Sequence, residues 1–529
     1  MNLKSLLILL LAGGLFPVFA GAQVRFDADF EGGSMGEVVQ LRRPRVRGGR
    51  THVYYQVNGR YDPLNPVDTD LRPSANWFCF RISGIKGKVI HLTMPHNFVA
   101  GASYSYDGLD WQHFKPSETE QHSIVKRFTN DAVYIALYKP YTYSYLQERL
   151  NDWTSCEGVS MDTIGFSHEG RPLQLLHITD TAVPDSGKAL VWIHGRVHPS
   201  ESPASFLLDG LLDYLTSDTP QGRSLRSQID AYVLPFINPD GVANALSRSN
   251  ALGVNEEINF GRSEDSTVVE VRAVKEVFER LTAERPFDFM LNCHSQLSET
   301  ASFWMHRGES TSPLYLRKEW AFTGLVSSLN PCIRPSDMQF SNVASRYAEG
   351  WMWDHFADST IALTIETPYN CYSNNRAGLW VDDDNLASFG VRTIQAVAEY
   401  LGLSIPGRYF VETPSEAGED WAEYTGNERS FLGRNAWEAI SAGAVMEYRL
   451  DCLPAGQYEV YRYVAGDCIE PEERSNFFNP RTGKWTDPGV HGWAYLGTVP
   501  QPEDGPFTYS YTAYEAGNLA DALLLILSE

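Results

Sequence analysis

The stretch HGRVHPSESPAS, residues 194–205, sets two histidines, an arginine and a glutamate directly after the apolar run Ala189–Ile193. His198 and Glu201 form an HxxE pair, residue types that together ligate a divalent metal. A second such pair, His306 and Glu309, occurs in HRGE, so context must decide between them. The first pair follows a strand-like run and precedes the helix-period segment SFLLDGLLDYL, with Ser202 expected as N-cap and Pro203 at the first helical position. Its ligands therefore fall at a carboxyl strand end, where open α/β sheets hold their sites. Catalytic zinc takes three protein ligands and keeps one position open, and two histidines with a glutamate are an established set. A third ligand should stand at another strand end, and the run Asp288–Cys293 ends in His294. A further run, Ile361–Ile365, delivers Glu366 as a candidate general base.

The elements that must position these groups are legible as a change of texture along the chain. Residues 23–148 hold short alternating runs such as NWFCFRI, KVIHLTM and DAVYIALY between turn-rich pieces, the pattern of a β-sandwich. Across 149–404, apolar runs (ALVWIHG, AYVLPFIN, FDFMLNCH, TIALTIE) alternate with helix-period segments such as VEVRAVKEVFERL and FGVRTIQAVAEYL. That alternation predicts an α/β catalytic domain, a mainly parallel mixed sheet flanked by helices. Residues 405–529 return to short strands with Gly and Pro turns and predict a C-terminal β-sandwich module. Its Trp421, Trp437, Trp485 and Trp493 suit a sandwich core better than stacking on sugars.

Composition narrows the class. A chain of 529 residues exceeds one ordinary core. The formal charge of −23 argues against nucleic acid as a partner, and the one basic run, RRPRVRGGR at 42–50, reads as a solvated loop. Residues 1–22 carry Lys4, the apolar run Leu6–Leu11 and the small-residue exit Ala20–Gly21–Ala22, the pattern of a cleaved secretory signal. No later run reaches the ~18 apolar residues of a spanning helix, so a secreted or periplasmic protein without stable membrane insertion is expected. Seven cysteines are too few for a disulfide framework; at most a pair such as Cys452 and Cys468 is expected to bridge. The oligomeric state stays open.

Taken together, these residues resemble the zinc metallocarboxypeptidase family, most closely its cytosolic carboxypeptidase branch, here in an exported, bacterial form. HPSESPAS is similar to that branch's HPGE-type segment. FINPDGVANALSRSN resembles its NPDGV segment, with Arg248 ten residues after Asn238. NWFCFRI, YSYDGLDW and DAVYIALYKPYTYSYLQERL are like the β-sandwich that precedes the catalytic domain in that branch. The resemblance covers about residues 24–402 and implies one Zn²⁺ per chain on His198, Glu201 and His294. It further implies Glu366 as general base and later proton donor, and Arg248 as oxyanion stabiliser.

The chain departs from the family at one place. Where the family reads GxDLNR, whose Asn and Arg grip the substrate carboxylate, this sequence has GVNEEINF, with Glu257 and Ile258 at those positions. Arg262 or Arg346 could supply a guanidinium instead, or Glu257 could receive a cationic group such as the amine of a diamino acid in a cell-wall peptide. Tyr347 and Tyr369 are candidate substrate-contacting tyrosines. A zinc peptidase of carboxypeptidase type, acting on peptides or peptidoglycan-derived peptides, is the first reading. An endopeptidase or amidase on cell-wall peptides is the second, and an inactive peptide- or glycan-binding scaffold the third. An amidohydrolase acting on N-acyl amino acids fits the fold but not the NPDGV resemblance.

Overall fold

A computed structural model describes residues 23–66, 72–372, 380–425, 430–431, 434–464, 478–479, 484–485 and 492–528. The signal expected at 1–22 and the Cys452–Cys468 pair, through Cys468, lie outside the described residues. Among them, no helix is long and apolar enough to cross a membrane.

The centre is an eight-stranded mixed sheet: β1 (Val159–Phe166), β2 (Pro172–Ile178), β3 (Ala189–Gly195), β4 (Ile229–Leu234), β5 (Phe289–Gln296), β6 (Ser302–His306), β7 (Gln339–Ser341) and β8 (Ile361–Pro368). Their spatial order is β1-β2-β4-β3-β5-β8-β6-β7. β3, β5 and β8 run parallel and adjacent, in a register that aligns Gly195 with Cys293 and His294 with Glu366. β3 is buried along its whole length, which explains why ALVWIHG is an unbroken apolar run rather than an alternating one.

Five helices matter to the site: α1 (Ser202–Thr216), α2 (Val269–Leu281), α3 (Pro313–Ser328), α4 (Ala348–Phe356) and α5 (Asp383–Leu401). α2 buries Val271, Val274, Val277 and Phe278, one face at helical spacing. α1 and α5 cross in backbone contact, since a Cβ on Gly210 would meet Ala387 O at 2.1 Å and one on Gly390 would meet Leu207 O at 2.0 Å. α5 starts on an Asp382 capping box and stops where Gly402 takes φ +71°, the left-handed conformation that favours glycine.

Residues before β1 form two five-stranded sheets. Phe80, Ile82 and Ile135 from one sheet and Val53, Ile90 and Ile124 from the other join a single buried cluster that continues into the α/β core. The basic run at 42–50 is a hairpin, not a loop: Val38–Arg47 pairs with Arg50–Val57 across Gly48 and Gly49, both at positive φ. Pro44 is tolerated because this is an edge strand with register shifts on either side of Arg42. The C-terminal residues form strands Arg408–Val411, Val445–Leu453, Gly456–Val464, Gly492–Gln501, Gly505–Thr512 and Leu523–Leu527 with shorter ones between. Trp421 and Trp493 are buried here, and the indole N–H groups of Trp421, Trp437 and Trp493 donate to Val445 O, Pro414 O and the Glu399 carboxylate. These three rings are spent on packing.

Candidate active site

β3 ends at Gly195 and the chain turns at Arg196, which sits at φ +51°. The buried Arg196 guanidinium donates to Tyr141 O, Ser205 Oγ and Pro199 O and so ties the turn to α1 and to the preceding β-rich region. The expected Ser202 cap is corrected: Glu201 occupies the N-cap position, Ser202 is the first helical residue, and no side chain caps this end. The reason is visible in where Glu201 points. Its Oε1 lies 2.9 Å from His198 Nδ1 and its Oε2 lies 2.7 Å from His294 Nδ1, with the Ser295 N–H donating to Oε2 at 3.1 Å. Ligand atoms of His198, Glu201 and His294 fall within 4.8 Å of one another, and all three residues are buried.

The far sides of the two imidazoles are also engaged. His198 Nε2 lies 3.2 Å from Asn255 Oδ1, and His294 Nε2 lies 3.1 Å from Glu257 Oε2. When each Nε2 carries the proton that these oxygens accept, both Nδ1 lone pairs point at the Glu201 carboxylate. Three acceptors then face one another, an arrangement that a shared divalent cation resolves, and the donor set is that of catalytic zinc. Burial opposes ionisation of Glu201, but His198 and His294 outweigh it and hold its carboxyl below the usual range. Burial also disfavours a charged Glu257, which His294 in turn holds low.

Glu257 is therefore not a free receptor for a substrate cation. Its Oε2 accepts from His294 and its Oε1 from Asn292 Nδ2 at 3.2 Å. The charge reversal that the sequence presents at this position sets a carboxylate against His294 Nε2. The same Asn292 amide also reaches Glu349 Oε1 at 3.1 Å, where the Thr364 hydroxyl donates as well.

Glu366 stands beside His294 on the neighbouring strand. Trp304 Nε1–H donates to its Oε1 at 3.3 Å, while its buried Oε2 has no partner among the described residues. Burial and the Glu201 charge push its pKa up to about 8. A cavity of about 310 Å³ opens over these groups, lined by His198, His294, Glu366, Glu257 and Glu349, with Arg248, Arg346 and Tyr347 also on its wall. Arg346 donates to the Tyr347 hydroxyl at 2.9 Å. Arg262 does not line the cavity, and Tyr369 is buried beside Ser200 and Glu201 rather than on the cavity wall.

Residues 153–368 match the family model described as zinc carboxypeptidase. This stretch is a zinc carboxypeptidase domain. Cytosolic carboxypeptidase 6 of Mus musculus is 29% identical over 258 residues, covering 43% of this chain and 44% of that protein. Cytosolic carboxypeptidase 1 of Homo sapiens is 24% identical over 292 residues, or 45% of this chain and 22% of that one. The chain thus spans less than half the length of these two relatives. Among solved structures, a metallo-carboxypeptidase from Burkholderia cenocepacia superposes with a TM-score of 0.60 at 21% identity, over 72% of this chain and 99% of that one. A metallo-carboxypeptidase from Pseudomonas aeruginosa, in complex with (2-guanidinoethylmercapto)succinic acid, gives 0.58 at 21% identity, over 72% and 99%. At these identities the structures show a shared fold.

The zinc carboxypeptidase domain contains the HxxE pair, His294 and Glu366, and it leaves the HRGE pair outside the metal cluster. His306 instead meets Glu319 of α3 through both its ring Nδ1 and its backbone N–H. Several groups around the domain's cavity escaped sequence reasoning. Glu349 sits in the first turn of α4, and Trp304 and Thr364 lie within strands, where nothing in their neighbours marks them. Asn255 was in view, two residues before Glu257, and an imidazole's need for a second-side acceptor is the signal that could have found it. Asp62 is the most distant. It accepts the backbone N–H groups of Ser247, Arg248 and Ser249 at 2.7, 2.7 and 3.0 Å.

Proposed function

We propose that the protein is a zinc-dependent peptidase of carboxypeptidase type, with His198, Glu201 and His294 holding the metal and Glu366 moving the proton. The observation that carries this reading is the convergence of two imidazoles and one carboxylate beside a half-buried glutamate whose Oε2 is buried without a partner among the described residues. Zinc, when bound, supplies Lewis acidity toward the scissile carbonyl and acidifies a water. Trp304 fixes one oxygen of Glu366, leaving Oε2 to take the proton of the attacking water and pass it to the departing amine. Burial, the larger cause of its raised pKa, suits a group that must both accept and return a proton. Arg248 faces the same cavity as a stabiliser of the oxyanion. Arg346, also on the wall, replaces the missing family arginine as the grip on the substrate's terminal carboxylate.

Around this centre we read residues 149–404 as the catalytic domain and residues 23–148 and 405–529 as flanking β-sandwich modules. Residues 1–22 are read as an export signal, and a secreted or periplasmic protein follows. Two arginines on one cavity favour exopeptidase action over the endopeptidase reading. Matched peptides with free and amidated C-termini test it. Loss of terminal residues from the free acid alone is expected, whereas equal cleavage of both would establish the endopeptidase instead.

A further inference from the structure

The hairpin at 42–50 belongs to a sheet of lopsided charge. Its five strands, which add Val89–Thr93, Thr119–Glu120 and Ser123–Arg127 to the hairpin's two, hold six arginines and one lysine against a single carboxylate, Glu120. Glu120 lies on the edge strand opposite the hairpin. Register and strand alternation put Arg42, Arg45, Arg47 and Arg50 on one face beside His52, Tyr54 and His91, with Arg127 two strands further on. The other face, through Val53 and Val57, is buried in the core. Arg42 lies over the Tyr54 ring at 5.3 Å, and no arginine of the hairpin has a carboxylate partner among the described residues. Arg47 stands directly opposite Arg50, a pairing of like charges that costs stability until an anion joins it. His91 registers the same field: burial, His52, Arg47 and Arg42 together hold it below the usual histidine range.

The same hairpin holds apolar side chains in water. Val46 is 74% exposed and Leu41 46%, within a run exposed from Val39 to Arg50. Val46 pairs with Thr51 and so points to the opposite side of the ribbon from Arg45 and Arg47. The tip is therefore cationic on one side and apolar on the other. A second copy adding a strand here is disfavoured, since Pro44 lacks an N–H and the register shifts break the edge ladder. A nucleic acid or an acidic protein face would neutralise the arginines and leave Val46 in water. A lipid headgroup layer offers phosphates to the arginines and, just beneath them, hydrocarbon to the valine. We propose that this hairpin docks the protein peripherally on a membrane surface bearing anionic phosphate headgroups, with Arg42, Arg45, Arg47 and Arg50 on the phosphates and Val46 entering the headgroup layer. The formal charge of −23 does not oppose this at contact, because exposed charges beyond about 8 Å are screened at physiological salt.

Flotation of the full-length protein with vesicles of phosphatidylglycerol and phosphatidylcholine, mixed about 1:3, beside vesicles of phosphatidylcholine alone, tests this directly. Binding to the anionic vesicles should exceed binding to the neutral ones by at least about tenfold and fall steeply between about 0.05 and 0.5 M salt. Changing Arg42, Arg45, Arg47 and Arg50 together to glutamine should bring binding down to the neutral level, and changing them to lysine should keep most of it. Val46→Ser should weaken binding to the anionic vesicles by about threefold. Duplex DNA at equal phosphate concentration should leave the protein on the vesicles; displacement would assign the face to nucleic acid and overturn the proposal. Equal binding of the wild type to both kinds of vesicle overturns it as well, and that comparison stands alone if the variants do not fold.

Discussion

The Asp62 carboxylate accepts the backbone N–H of Arg248 at 2.7 Å across 186 positions of sequence. Ser247 and Ser249 donate to the same carboxylate, and Trp77 N–H donates to Ser247 Oγ. Arg60 adds contacts to the carbonyls of Asn244 and Ala245. The β-rich region before the catalytic domain therefore builds the loop that aims Arg248 into the cavity. Asp62→Ala should lower kcat by about tenfold to a hundredfold through a misplaced guanidinium. Zinc affinity should stay at the wild-type value, because no metal ligand touches this loop's carboxylate. Steady-state kinetics beside a chelator titration check both halves of the expectation.

Glu257 presents a second relationship of this kind. A carboxylate on the outer nitrogen of a metal-binding histidine fixes its tautomer and strengthens it as a ligand. Glu257→Gln keeps an acceptor but removes the charge, and should weaken zinc binding by about tenfold; Glu257→Ala should approach about a hundredfold. Competition with a chromogenic chelator reads this without reference to turnover. Unchanged affinity in both variants would return Glu257 to a role in substrate binding.

Much of this was legible in the chain, and the boundary follows physical lines. ALVWIHG, FDFMLNCH and TIALTIE announce parallel strands because burial on both faces demands continuous apolar runs, and their ends then place His198, His294 and Glu366 together. What stayed hidden depends on where side chains turn after the backbone is set. Glu201 abandons its helix end for two imidazoles, Glu257 turns to His294, and Glu349 reaches the cavity from the start of α4. The hairpin at 42–50 was misread because five arginines outweigh the turn signal of Gly48–Gly49 that joins its strands.

Glu399 links α5 to the C-terminal strands. It pairs with both terminal nitrogens of Arg392 at 2.7 Å, with Arg408 Nη2 at 2.6 Å, and accepts from Trp493 Nε1 at 2.9 Å. Burial alone would raise its pKa, but Arg392 and Arg408 outweigh burial and bring it from 4.5 down to about 2. The folded protein therefore holds this proton less tightly than the unfolded chain. The stability so gained, about 3 kcal/mol for a shift of this size, is fully present above about pH 4.5 and lost as pH falls toward 2. Glu399→Gln should lower Tm by several degrees at pH 7, since removing one partner of a buried ion pair costs about 3–5 kcal/mol. The gap to the wild type should narrow below about pH 4. Thermal melts of the two proteins from pH 7 to pH 3 check the sign.

Glu366 carries the central claim, and its test separates metal binding from proton transfer. Peptides with free C-termini are digested by the zinc-loaded wild type and by Glu366→Gln, and the products are followed by mass spectrometry. The account predicts stepwise loss of C-terminal residues by the wild type and a rate lower by about a hundredfold to ten-thousandfold in the variant, with stoichiometric zinc in both. Equal turnover by a zinc-loaded Glu366→Gln protein would contradict it.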